Sequence, residues 1–312
     1  MKSLSWMLVK LEEPEMSKKF LAFDVGGTTI KYAVIDEQLN FTDTGKVNTE
    51  QNRNGHILKT LLQISQTIQE RIELAGIGVS TAGIVGRDGS IQYAGPTIPD
   101  YIGTPIKTSL AAQANLPVSV VNDVDAALLG EVFTGQLVNQ DVYCMALGTG
   151  IGGAHYRNRK IISGAHGQGN SVGYTLFDPQ TNTNYEQRAS TLVLERQLAD
   201  KGVTVIDAFE KAKQGQATYE SIIERWANEV ARGIAEVVVL FDPDYIIIGG
   251  AVSAQGQYLI DLFNKQLPAL LPPDFNRTTL KIAQQGNQAQ LIGAIVPFLK
   301  KNKEKVNEKS ID

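Results

Sequence analysis

One cysteine, three histidines and two tryptophans in 312 residues leave little with which to build several common kinds of protein. The single thiol, Cys144, excludes a disulfide within the chain and a multi-cysteine zinc site. It sits in the apolar run Val142-Tyr-Cys-Met-Ala-Leu147, which reads as a buried strand. No apolar run reaches membrane-spanning length, and the first residues lack the charged, apolar and small-residue succession of a secretory signal. A cytoplasmic protein with no membrane partner is therefore expected. Charge is nearly balanced, with 29 basic against 33 acidic side chains, so no basic field for nucleic acid exists. The ten tyrosines are too dispersed for a base-stacking surface. What remains is the composition of an ordinary soluble globular protein, long enough for two domains and suited to small-molecule partners.

The most informative stretch is Phe20-Leu-Ala-Phe-Asp24-Val-Gly26-Gly27-Thr28-Thr29-Ile-Lys31-Tyr-Ala-Val-Ile-Asp36. It places an acid, two glycines and two hydroxyls between two apolar runs that read as strands. Glycines let backbone N–H groups approach an anion, and Asp24 at a strand end can hold a hydrated magnesium ion; a plain hairpin turn is the alternative. Ile57, Leu61, Ile64, Ile68 and Ile72 then mark one face of a helix. Gly76-Ile-Gly-Val-Ser80 reads as a buried strand running into Thr81-Ala-Gly83-Ile, and Val118-Ser-Val-Val121 as another that ends at Asn122-Asp123. Asp123 thus lies where a strand gives way to a helix, either as a reactive acid or as an N-cap. Lys31 could reach phosphate, but the solvated reading is preferred. His56 and His155 lack any partner spacing and read as structural or exposed.

A second strand–turn–strand unit begins at Asp141, with Gly148-Thr149-Gly150-Ile-Gly152-Gly153 as its turn. It repeats the first unit in outline, so duplication of one α/β domain is expected, with a glycine turn on either side of a cleft. The G-x-G-x-x-G spelled by Gly148, Gly150 and Gly153 is not a dinucleotide fingerprint, because a strand rather than a helix follows it. Ile222 to Val237 mark a long amphipathic helix, followed by the strand Asp244-Tyr-Ile-Ile-Ile-Gly249-Gly250. That glycine pair suits either close approach by a flat ligand or the cap of a core strand.

Taken together, these motifs resemble the ROK family of sugar kinases and repressors, over about Lys19 to Leu299. Asp24-x-Gly26-Gly27-Thr28-x-x-Lys31 looks like its first phosphate motif, Leu147-Gly-Thr-Gly-Ile-Gly-Gly-Ala154 like the second, and Ile248-Gly249-Gly250-Ala251 like its adenosine motif. Asn122-Asp123 resembles the pair whose acid is the catalytic base. The resemblance implies duplicated actin-like (ribonuclease H-like) ATPase domains facing across a cleft. It divides the chain into an N-terminal extension (1–18), a first domain (19–133, rejoined by a C-terminal helix at about 288–301), a second domain (134–287) and a charged tail (302–312). It implies ATP, magnesium held by Asp24 through water, phosphate contacts at residues 26–28 and 148–150, adenosine at Gly249 and Gly250, and by analogy a homodimer. Sugar contacts are implied at Gly83, Thr97, Asn122, Asp123, His166, Ser171 and Tyr174.

The sequence departs from the family pattern in three places. Tyr185 to Leu194 lacks the histidine and the three cysteines of the zinc segment, so no zinc is expected. Ser171 and Tyr174 replace the glutamate and histidine of a Glu-x-Gly-His element, and Thr97 replaces an asparagine. The implied reaction is ATP-dependent phosphorylation of a hydroxyl, the 6-hydroxyl, of a glucose-like hexose or β-glucoside. A slow or degenerate sugar-binding protein is the alternative, motivated by Ser171 and Thr97. A transcriptional repressor is disfavoured, since about 20 residues before the first phosphate motif do not house a winged helix-turn-helix.

Overall fold

The computed structural model describes the backbone of residues 17–95, 98–275 and 277–309, and side chains up to residue 299. The expected extension up to residue 16, Thr97 and the side chains of the charged tail lie outside the described residues.

Strands β1 (Lys19–Val25), β2 (Thr29–Asp36) and β3 (Phe41–Asn48) form an antiparallel meander. Helix α1 (His56–Gln69) then carries the chain to β4 (Gly76–Thr81), parallel to β1. Ile72, expected on the same helical face, lies past the end of α1. A small hairpin of β5 (Ile84–Val85) and β6 (Ile91–Tyr93), followed by α2 (Ile106–Ala114), leads to β7 (Val118–Asn122), parallel to β4. Helix α3 (Asp123–Thr134) starts directly after β7.

The second half repeats this plan. Strands β8 (Val142–Leu147), β9 (Ile151–Arg157) and β10 (Lys160–Ile161) form the meander. Helices α4 (Glu186–Ala189), α5 (Thr191–Ala199), α6 (Val205–Lys213) and α7 (Ala217–Phe241) precede β11 (Tyr245–Gly249), which runs parallel to β8. Helix α8 (Gln257–Gln266) connects β11 to β12 (Thr279–Ile282), and α9 (Ala289–Lys309) closes the chain. The sheet orders are β3-β2-β1-β4-β7 and β10-β9-β8-β11-β12, so each sheet reads third, second, first, fourth, fifth in its own strand sequence. Helix α9 is longer than the expected 288–301. Its Lys- and Glu-rich continuation consists largely of good helix formers, including Lys300 and Glu304 at a four-residue spacing.

Both faces of both sheets are covered, which is why the central strands are apolar almost without interruption. Leu21, Phe23 and Val25 of β1 face α1 and α2, whereas Phe20 and Ala22 face Leu291 and Ile295 of α9. In the second sheet Tyr143, Met145 and Leu147 face α7, whereas Val142 and Cys144 face α3 and α9. Helices α3 and α9 therefore lie between the sheets and complete both cores. Their crossing is close: a Cβ at Gly293 would overlap the Ala126 carbonyl. Buried Glu131 of α3 accepts the N–H groups of Gln284 (2.9 Å) and Gln285 (2.7 Å), fixing the approach to α9. Cys144 is buried as expected, and removal from water pushes its thiol up to about 12.

Candidate active site

The carboxyl end of β7 supplies the central acid. Asn122 has extended backbone and caps α3, its Oδ1 accepting the N–H groups of Val124 (2.9 Å) and Asp125 (3.3 Å). The cap is therefore Asn122, and the N-cap reading of Asp123 is corrected. Asp123 occupies the first helical position, its Oδ1 accepting the Val124 N–H (3.0 Å) and the Asn122 Nδ2 (2.8 Å). The other hydrogen of that Nδ2 reaches the Gly83 carbonyl (2.9 Å), tying the loop after β4 to the same point. Burial first, then the neighbouring Asp24 carboxylate, push Asp123 up to about 6. Two residues on, Asp125 is pushed up to about 7 by burial and then by Asp123, with Ser163 hydrogen-bonding its carboxylate.

Asp24 lies near the end of β1, in register with Lys31 on one side and Ser80 on the other. Ser80 Oγ donates to its Oδ1 (3.2 Å), and Lys31 Nζ stands 3.7 Å from its Oδ2. Lys31 also donates to Asn287 (3.2 Å) ahead of α9, which corrects the solvated reading of that lysine. Burial outweighs Lys31 and raises the Asp24 carboxyl above its ordinary value. The donor set suits magnesium. Asp24 and Asp123 are close enough to repel, and magnesium takes one or two carboxylates with phosphate oxygens and water completing its shell. Among the described residues, no cluster of three or more His, Cys, Asp or Glu is arranged to hold a metal.

The β8–β9 turn faces Asp123 across the cleft. Gly148 N–H donates to the Gly150 carbonyl (3.0 Å), and the Gly148 carbonyl accepts the Leu192 N–H of α5 (3.3 Å). Glu186 Oε2 accepts the Ile151 N–H (3.1 Å) and lies so near Gly150 that a Cβ there would meet it at 2.5 Å. Glu186 is placed by the residue before it. Fully buried Tyr185 donates to the Val230 carbonyl of α7 (2.7 Å), and its ring rests on Gly233, where a Cβ would overlap it. Beneath the turn, Gly250 has φ +92° and its Cα lies against the Leu147 carbonyl, so both conformation and space require glycine.

A cavity of about 440 Å³ joins these parts. Its lining includes Gly83, Asn122, Asp123, Gly148, Thr149, Gly150, Ser171, Tyr174 and Gly250 among the expected site residues. Asp24 and the turn at Gly26, Gly27 and Thr28 stand beside it rather than in its wall, with Asp24 acting on Asp123 through its charge. Gly249 ends β11, and a Cβ there would meet only Ala283 at 4.0 Å, so the close approach belongs to Gly250. His166 is exposed and off the cavity wall, although Gly167 and Gly169 line it. Ser171 Oγ donates to the Gln168 carbonyl of its own loop (2.9 Å). Tyr174 is 61% exposed and hydrogen-bonds the side chain of Tyr93.

Two acids of the cavity wall were missed by sequence reasoning, Asp125 and Glu186. Asp125 was visible as a second acid in Asn122-Asp-Val-Asp125. Glu186 lay within the segment read only for zinc ligands, and its signal was an acid directly after a tyrosine at a helix start.

The ROK family model matches residues 20–301 of the chain. A β-glucoside kinase of Listeria monocytogenes is 27% identical over 296 residues, spanning 90% of this chain and 97% of its own. A glucokinase of Streptomyces coelicolor is 29% identical over 304 residues, spanning 88% and 95%. Among solved structures, a ROK family glucokinase from Streptomyces griseus in complex with glucose and AMPPNP superposes with a TM-score of 0.74 at 28% identity, covering 88% of this chain and 97% of its own.

Proposed function

The chain belongs to the ROK family, has its actin-like ATPase fold and is an ATP-dependent carbohydrate kinase, and we propose that Asp123 is its general base. The acceptor is a glucose-like hexose or β-glucoside, and the hydroxyl phosphorylated is the 6-hydroxyl. The observation that carries this reading is the place of Asp123: on a cavity wall shared with the glycine turn at 148–150, and raised to about 6. Such a carboxylate is ionised at neutral pH yet basic enough to take a hydroxyl proton as attack on phosphorus proceeds. Its Oδ1 is occupied by Val124 and Asn122, which leaves Oδ2 for the acceptor.

Phosphoryl transfer needs positioning and charge stabilisation more than covalent help. The turn at 148–150 offers backbone donors to phosphate: the bond from Leu192 to the Gly148 carbonyl fixes that peptide plane and turns the Thr149 N–H to the opposite side. The turn at 26–28 plays the same part from the first sheet. Asp24 would hold magnesium through water, and the ion would there supply charge neutralisation for the phosphates. Gly250, on the cavity wall, borders the adenosine side. Glu186 supplies a carboxylate acceptor for a sugar hydroxyl on the cavity wall, which offsets the loss of a glutamate at Ser171 and weighs against a degenerate binder.

Purified protein assayed for ADP release with Mg-ATP and a panel of hexoses and β-glucosides tests the reading. Turnover of at least one sugar, lost in Asp123→Asn, is expected; no turnover across the panel would overturn it.

A further inference from the structure

Between β3 and α1 the backbone does something that neither neighbouring element requires. Glu50, Gln51, Asn52 and Asn54 all have φ between +48° and +55°, and Gly55 follows at +69°. A left-handed run of side-chain-bearing residues is unfavourable and persists only where surrounding contacts over-determine it. Here the contacts are specific. Thr49 and Asn52, which flank the first turn of this run, are 1% and 2% exposed.

Thr49 grips the first phosphate turn. Its Oγ1 donates to the Gly27 carbonyl (2.8 Å) and its N–H to the Thr28 carbonyl (2.9 Å). In a trans peptide the N–H opposes the preceding C=O, so the bond to Gly27 turns the Thr28 N–H to the far face of the turn. Asn52 donates its N–H back to the Thr49 carbonyl (2.8 Å). Its Nδ2 then reaches the carbonyls of Pro99 (3.2 Å) and Asp100 (3.1 Å), while its Oδ1 accepts the Ile57 N–H that opens α1 (3.1 Å). Buried Tyr101 continues the chain of bonds to Thr81 Oγ1 (2.8 Å), and Thr81 pairs in register with Val25 of β1. A closed ring of bonds thus runs from the phosphate turn through Thr49, Asn52 and residues 99–101 back to the strand that carries Asp24.

We infer that Asn52 is a positioning residue that sets the loop around residues 98–101 at a fixed distance from the first phosphate turn. The assignment rests on the kinase reading, and its link to the acceptor side is Tyr101 of this loop, which holds Thr81 two residues before Gly83 of the cavity wall. In-line transfer depends on the acceptor oxygen and the phosphate being placed together, so a strut between their two supports affects acceptor use more than nucleotide binding.

Asn52→Gly tests this directly, because glycine adopts the left-handed backbone without strain and deletes only the side-chain bonds. Asn52→Asp is the companion variant, keeping the acceptor for Ile57 while turning a carboxylate on the two carbonyls. For both, the KM for glucose or cellobiose should rise about tenfold, with the KM for Mg-ATP within twofold of the parent. In the ligand-free proteins, amide exchange should rise together in residues 26–29 and 98–104 while the second sheet keeps its protection. Faster exchange confined to residues 50–57, unchanged exchange, or equal rises in both KM values would overturn the strut. Exchange needs no turnover. A parent protein that phosphorylates no sugar would therefore refute the kinase reading, and the exchange pattern alone would decide the role of Asn52.

Discussion

The two glycine turns occupy equivalent places in sheets of equal strand order, yet they are held in different ways. The turn at 26–29 is held by Thr49, a neutral hydroxyl and an N–H, with Asp24 and Lys31 alongside. The turn at 148–153 is held by a carboxylate, Glu186, and by the first turn of α5. The difference teaches that duplication fixed the strands and turns, while the supports beneath them specialised. On the first side the support runs to residues 99–101. On the second the supporting side chain itself lines the cavity.

The largest effect should fall on neither turn but on the acid between them. Asp123→Asn should lower kcat by about 10²- to 10⁴-fold in a coupled ADP-release assay, with nucleotide binding preserved. Next comes the second turn. Glu186→Gln turns a charge-assisted bond of about 1.5–3 kcal/mol into a neutral one of about 0.5–1.5 kcal/mol, so kcat/KM for the sugar should fall about tenfold. On the first turn, Thr49→Val removes one neutral bond and keeps the backbone one. A loss of about 1 kcal/mol, or roughly fivefold in kcat/KM, is expected there. Equal losses from Glu186→Gln and Thr49→Val would break the comparison.

The smallest effect concerns pH. Because Asp123 is raised, it holds its proton to higher pH than an ordinary carboxyl, and the ionised base is lost as pH falls through about 6. The rate profile should therefore show an acidic limb near pH 6. Burial and Asp24 set that position and Glu186 does not enter it. The limb of Glu186→Gln should stay in place while its height drops; a displaced limb would tie the second turn to the base electrostatically.

The strands, both glycine turns and Asp123 were legible because each is a local pattern: an apolar run, a glycine pair, an acid where a strand becomes a helix. Asn122 as the cap was also within reach, since asparagine and aspartate compete for that position. The supports were not legible. Thr49 is 22 residues from Gly27, and Glu186 is 35 from Ile151, and nothing local marks either as the partner of a turn. His166 sits one residue from Gly167 of the cavity wall yet is exposed itself, because the sequence of a loop does not state which of its side chains turn inward. Lys31 was misjudged for the same reason: its partner Asn287 comes from the far end of the chain.

The placement of α9 has a consequence for the order in which the molecule is made. Phe20, Ala22, Ala33 and Ile35 of the first meander are buried against Leu291, Ile295 and Leu299, and those partners are translated long after them. While the chain emerges from the ribosome, the first sheet can bury its other face under α1 and α2, but this one stays bare until α9 has been made. The first sheet is thus born with an exposed apolar face, and α9 ends its exposure.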